Sequence, residues 1–268
     1  MEFVIDNNCL QSEKLSTFLE ESKSNIAVIS DFTIFEIFKS ENTYQNIWKS
    51  FEIISQYPSQ FLFLKSPPLI CKSLKGRDDW IYKSLMDNFQ IFCDWLYQAT
   101  KVPPSSPSKA KQYFDWLIAR SIQISNHKSH YDHASFESIF TSKNLAFIRA
   151  NPSTYPFWLM NKIRSFTLDG YLHAIRQDCI VDICKLQIPY TSTALYREQV
   201  AKAAFAYIWI RSGNSPTKKD FIFNHTIDYG IVSIATLFDG LISSDGKVNE
   251  AYERSMSWLN LFNNEFNP

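Results

Sequence analysis

The sequence predicts a mixed α/β fold, three layers (α/β/α) around a central parallel sheet, interrupted by a large all-α insertion. Three observations carry that expectation. Short apolar runs near the two ends of the chain alternate with segments of helical periodicity, the pattern of a parallel sheet covered by crossover helices. From about residue 70 to residue 212 those runs vanish and the periodicity is helical almost throughout. Charge divides the chain in the same way: Lys65 to Lys219 holds 21 Lys and Arg against 11 Asp and Glu, while the flanks hold 6 against 16, although the whole chain is neutral with 27 of each. The expected organisation is an α/β frame in two parts, residues 1–69 and 214–268, carrying a basic helical insertion over residues 70–213. Such a charge surplus suits an anionic partner for the insertion.

Phe3 to Asn8 reads FVIDNN, an apolar run that ends in Asp6. A buried parallel strand ends this way at a crevice, because its apolar part lies under helices and its carboxyl end opens to ligand. A carboxylate buried there needs compensation, since an isolated buried ion costs several kcal/mol. A metal ion supplies it; an Asp-Asn-Asn turn is the simpler alternative, favoured on this stretch alone. Ser12 then stands as an N-cap before Leu15, Phe18 and Leu19 at helical spacing. Asn25 to Ile29 (NIAVI) is a second strand, and Ser30 caps a second helix, with Asp31 in its first turn where the helix dipole favours negative charge. Glu36 lies among Ile34, Phe35, Ile37 and Phe38, and faces either a site or solvent. Ile47 to Tyr57 reads as a third helix, closed by Pro58, and Phe61 to Leu64 (FLFL) as a third strand.

Five helices are expected in the middle: Asp79–Ala99, Lys109–Ile124, Phe136–Ala150, Phe157–Leu186, either continuous or broken near Gly170, and Thr193–Arg211 with Gly213 as its stop. Asp228 to Phe238 then reads as an apolar helix opening on an aspartate. Asp239-Gly240 is a turn, Leu241 to Asp245 (LISSD) a strand ending in an aspartate, and Glu250 to Phe262 a final amphipathic helix. Asp220 and Asp239 are alternatives to Asp228 as a site acid, although Asp239 reads first as the turn residue and Asp220 as a solvated residue of a polar loop.

Composition removes several classes. No run of about 18 apolar residues predicts a membrane span, and no basic leader with an apolar stretch marks a signal peptide. The five cysteines are odd in number and lack CxxC spacing, which points to reduced thiols in a cytoplasmic setting. With six glycines, the chain has no glycine-rich phosphate loop.

If the first and last strands lie side by side, Asp6, Glu36, Asp228 and Asp245 can meet at the carboxyl edge of the sheet. Carboxylates so gathered repel one another unless cations intervene, and hard oxygen donors suit Mg²⁺ or Mn²⁺. The pieces VIDNN, VISDFTIFEIF and DYGIVSIATLFDGLISSD, over about the first seventy and last fifty residues, resemble the PIN-domain nucleases of the VapC type. The resemblance implies that Asp6 and Asp245 close the first and fourth strands as metal ligands, that Glu36 and Asp228 complete the catalytic set from helices, and that Asn8 and Ser244 support it. It further implies Mg²⁺- or Mn²⁺-dependent endoribonuclease activity, with DNA as the alternative substrate, in a toxin–antitoxin or host-defence setting with an antitoxin or regulatory protein as partner. A homodimer is also among the expected forms. The long middle departs from the family's short helical segment, so a non-catalytic binding module on a PIN-like frame is the competing expectation.

Within the middle, Lys162, Arg164, Arg176, Arg197 and Lys202 are the candidate nucleic-acid contacts, against the simpler reading of a solvated helical surface. Tyr155, Phe157 and Trp158 either stack on bases or belong to a core, the latter favoured for Trp158. His127, His130 and His133 are expected on the surface rather than at a zinc ion.

Overall fold

The computed structural model describes residues 1–38, 44–65, 80–99, 115, 119, 133–177, 189–213 and 219–264. The expected helix over residues 109–124, apart from two positions, and His127 and His130 lie outside the described residues; of His133 only the backbone is described. The chain divides into two compact units: residues 1–128 with 238–245, and residues 129–237 with 246–268. Sequence composition suggests other dividing points, because charge and element type change before the packing does.

The first unit is α/β. Strands β1 (Glu2–Ile5), β2 (Ile26–Ile29), β3 (Phe61–Phe63) and β4 (Gly240–Ile242) form one parallel sheet in the order β3-β2-β1-β4. Phe3 stands opposite both Ala27 and Gly240, and Val28 opposite Leu62. The first three strands correspond to apolar runs of the sequence, whereas the fourth, expected over Leu241–Asp245, spans Gly240–Ile242, so Gly240 is in the strand and Asp245 lies three residues beyond its end. Helix α1 (Glu13–Glu21) joins β1 to β2, and α2 (Asp31–Phe38) and α3 (Tyr44–Ser55) lie between β2 and β3. Helices α4 (Lys83–Asp87) and α5 (Phe89–Ala99) follow β3, where the sequence predicts one helix from Asp79. Phe51 of α3, Phe61 and Phe63 of β3, and Phe89 and Phe92 of α5 join in an aromatic cluster, with Phe51 and Phe92 edge to face at 5.5 Å. These rings fill the core on that side of the sheet, and aromatic pairs of this kind add to the stability of burial.

The second unit, among the described residues, is helical. Its elements are α6 (His133–Ser138), α7 (Ser142–Ala150), α8 (Phe157–Gln177), α9 (Ala194–Ser212), α10 (Lys219–Ala235) and α11 (Gly246–Asn264). The other five pack around α9, which explains why α9 is buried almost all round, from Val200 to Ile210. Thr193 accepts from the Tyr196 amide at 3.2 Å to cap it. Gly213 ends it at φ 70°, the left-handed conformation that glycine adopts without a Cβ penalty.

Two sequence expectations about the helices are corrected, and one left open is decided. The single helix expected over Phe136–Ala150 divides before Thr141, whose hydroxyl and Asn144 form a reciprocal capping box. Helix α8 runs unbroken through Gly170. That glycine marks a close approach rather than a break: a Cβ there would lie 2.8 Å from Oε1 of Gln199 on α9. Helix α10 begins at Lys219, so Asp228 lies inside it instead of opening it, and Asp220 is in its first turn instead of a loop.

Candidate active site at the carboxyl edge of β1 and β4

The chain adds β2 and β3 on one side of β1 and then crosses to add β4 on the other. The order of strands therefore reverses between β1 and β4, and in open parallel sheets ligands bind outside the carboxyl ends of the strands at such a point. Asp6 follows β1 there, and Ser243 follows β4. The ladder continues one step past the strands, with the Asp6 amide donating to the Ile242 carbonyl at 3.0 Å.

Asp6 is 4% exposed. Its Oδ2 accepts from the Ser243 hydroxyl at 2.6 Å and from the Asn8 side-chain amide at 2.7 Å. The Asn8 amide also reaches Ser243 Oγ at 3.4 Å, and its oxygen accepts from the Ser244 backbone amide at 3.0 Å. Ser243 Oγ in turn accepts from the Asp245 backbone amide at 3.0 Å. One network thus ties the loop after β1 to the loop after β4 around a buried carboxylate. Hydrogen bonds to an ionised acceptor are the stronger kind, so this network fixes the orientation of Asp6.

Ser243 is the residue that sequence reasoning missed. The support expected from Ser244 comes from its backbone alone, while its side chain is exposed. The alternation of β4 carries the signal: Ile242 is buried at the end of the strand, and the polar residue next to it closes the edge.

Glu36 reaches the same region from α2. Ser30 Oγ accepts from the Thr33 amide at 3.2 Å, and the Thr33 hydroxyl donates to the Ile5 carbonyl at 2.9 Å. The first turn of α2 is thereby pinned to the last residue of β1, and Glu36, three residues on, shares the Thr33 face of the helix. Glu36 lines a cavity of about 520 Å³ with Ile37, Lys49 and Ser50; Asn7, Asn8 and Gln11 of the β1 loop complete its wall. Asp31 is fully buried, and its Oδ1 accepts from the Tyr82 hydroxyl at 2.6 Å. It is a second aspartate close after an apolar strand, separated from β2 by Ser30; from the sequence it is a helix-terminus charge or a further acid within reach of the site.

Asp228 belongs to the second unit. Its Oδ2 lies 3.2 Å from Nδ1 of His225, one turn back on α10, and His225 is buried against the Trp209 ring at 4.3 Å. Among the described residues, no three His, Cys, Asp or Glu side chains form a metal-holding group. Asp6 itself is a hard carboxylate donor of the kind that Mg²⁺ takes, commonly one or two carboxylates with substrate phosphate and water. The Asn8 carboxamide turns its nitrogen to Asp6 and its oxygen to the Ser244 amide, so it supports the carboxylate and is not a ligand as it stands.

Several candidate nucleic-acid contacts have internal work in the second unit. Lys162 Nζ donates to the Ile139 carbonyl at 2.6 Å. Arg197 Nε donates to the Thr191 carbonyl at 3.1 Å and its Nη1 to the Thr236 carbonyl; burial holds this guanidinium below its ordinary pKa. Lys202 pairs with Glu198 at 2.6 Å and lies 5.0 Å from the Tyr229 ring centroid. Arg164 is half-buried and Arg176 is exposed in the last turn of α8. Phe157 is exposed, whereas Trp158 meets Phe147 edge to face at 5.7 Å. No helix among the described residues is long and apolar enough to cross a membrane. Compared with known proteins, the chain matches no family model, no curated protein and no solved structure.

Proposed function

We propose that the protein is a Mg²⁺- or Mn²⁺-dependent endoribonuclease on a PIN-like three-layer frame, with Asp6 as its anchoring carboxylate. The observation that carries this reading is the buried Asp6 at the reversal point of a parallel sheet, oriented by Ser243 and Asn8. Asp6 would hold the divalent ion, with Glu36 and Asp245 as further carboxylates. Asp228 is a fourth candidate, carried over from the resemblance alone. The ion, when bound, would supply charge stabilisation for an in-line phosphoryl displacement and a more acidic water. Ser243 and Asn8 keep the Asp6 carboxylate in one rotamer, which lowers the cost of ordering it in each catalytic cycle. A cytoplasmic nuclease needs restraint, so an inhibitory protein partner, as in toxin–antitoxin or defence systems, belongs to the proposal.

The test is cleavage of labelled single-stranded RNA by purified protein with Mn²⁺, with DNA of the same sequence alongside. RNA should be cut, and EDTA or Asp6→Asn should stop the reaction. Equal cleavage by Asp6→Asn protein would assign the activity to a contaminant, and cutting of DNA alone would move the substrate to DNA. A second reading has its own observation: Asp6 Oδ2 already accepts two hydrogen bonds that stitch two loops together. On that reading the frame is a non-catalytic binding module, and the protein cuts neither RNA nor DNA and takes up no Mn²⁺.

A further inference from the structure

We infer that the cavity beside Glu36 is a subsite for one nucleotide, in which the Asn7 and Gln11 carboxamides face the base and the Lys49 ammonium holds its phosphate. The inference rests on the nuclease reading for its substrate class. At about 520 Å³ the cavity falls within the range of small-ligand sites. Its walls divide by chemistry. Asn8 is already committed, donating to Asp6 and Ser243 and accepting from Ser244, so it acts as a fixed wall shared with the carboxylate network. Asn7 and Gln11 make no side-chain hydrogen bond, and Lys49 no ion pair, among the described residues. Each carboxamide offers two donors and an acceptor, the mixture that the edge of an unstacked base also displays. Lys49 is the cation of the wall and suits phosphate as a point charge. Ile37 is the apolar residue of the lining. Asn8 lines the cavity and also donates to Asp6, so the cavity adjoins the carboxylate network, and a base held here would bear on which linkage is presented.

Isothermal titration in EDTA with the four nucleoside 5′-monophosphates and with inorganic phosphate tests this without relying on cleavage. At least one nucleotide should bind ten-fold or more tightly than phosphate. Lys49→Ala should weaken that binding about ten-fold, and Gln11→Ala should alter the ranking among the four bases. Both side chains are exposed, so both variants should keep the circular dichroism of the parent. Nucleotides bound no better than phosphate, or bound equally by both variants, would overturn the subsite. The two readings separate cleanly: substitution-sensitive nucleotide binding without RNA cleavage leaves the subsite and removes the nuclease. RNA cleavage with no nucleotide binding does the reverse.

Discussion

Replacing Ser243 by alanine removes one hydroxyl and isolates the contribution of the network to the site. Its Oγ donates to the buried Asp6 carboxylate at 2.6 Å and accepts from the Asp245 amide at 3.0 Å. A hydrogen bond to a charged group is worth about 1.5–3 kcal/mol, and here the acceptor stays buried when the donor is lost. The second bond contributes little, since Asp245 is exposed and water can replace the partner of its amide. Ser243→Ala should therefore destabilise the protein by about 2 kcal/mol. In urea unfolding followed by tryptophan fluorescence, with a slope of about 2 kcal/mol per molar, the midpoint should fall by about 1 M. Ser244→Ala is the control: only its backbone takes part, so the change should stay within about 0.5 kcal/mol. Equal effects from the two serines, or a loss below about 0.5 kcal/mol at Ser243, would refute the claim that this hydroxyl holds Asp6.

Gly240→Ala places a Cβ 2.9 Å from the Phe3 ring across the β1–β4 pair; it should cost about 1–3 kcal/mol, and adding Phe3→Leu should recover part of that loss in the same urea assay. Arg197→Gln should lower the thermal midpoint by several degrees, because a half-buried guanidinium leaves the Thr191 and Thr236 carbonyls, whereas the exposed Arg176→Gln should leave it unchanged within error. Burial pushes the Tyr196 phenol up to about 12 and raises the Cys93 thiol, so in both cases the folded state holds a proton that the unfolded state releases first. Stability from these groups is complete below the ordinary values, about 8.5 for the thiol and about 10 for the phenol, and falls as pH rises above them. Urea midpoints measured from pH 8 to 11 should decline, and native Cys93 should resist iodoacetamide at pH 8 in peptide mapping.

The first three strands were readable because a buried parallel strand leaves an uninterrupted apolar run; the fourth was placed too late, because Gly240 reads as a turn residue and the polar Ser243 to Asp245 were counted into a strand that ends at Ile242. Asp6 and Glu36 were readable because each breaks an apolar segment with a charge that has to be answered. Helix α10 was misread at its start because it is apolar nearly all round from Ile227 to Ala235, so periodicity gives no phase, and Asp228 looked like a boundary. Its carboxylate instead meets His225, a pairing one turn apart that becomes visible only once the helix is known to extend back to Lys219. Gly170 left the continuity of its helix open, since a glycine required by a neighbouring helix has the same letter as one that ends a helix. Lys162, Arg197 and Lys202 show why charge alone is a weak guide to a nucleic-acid surface: each is engaged within its own unit by a carbonyl or a carboxylate. Ser243 and Ser244 are adjacent and identical in kind, and only the register of β4 tells which side chain turns toward Asp6.

Direct uptake of Mn²⁺, followed by loss of the free-ion electron paramagnetic resonance signal on titration with protein, bears most closely on the central claim. The parent protein should bind one or two ions, and Asp6→Asn, which keeps the shape of the side chain and removes its charge, should lose the tighter one. Parallel titration of Asp228→Asn and Asp245→Asn would decide whether those acids share it. A parent protein that leaves the Mn²⁺ signal untouched at millimolar concentrations, or an Asp6→Asn protein that takes up the ion as well as the parent, would contradict the account.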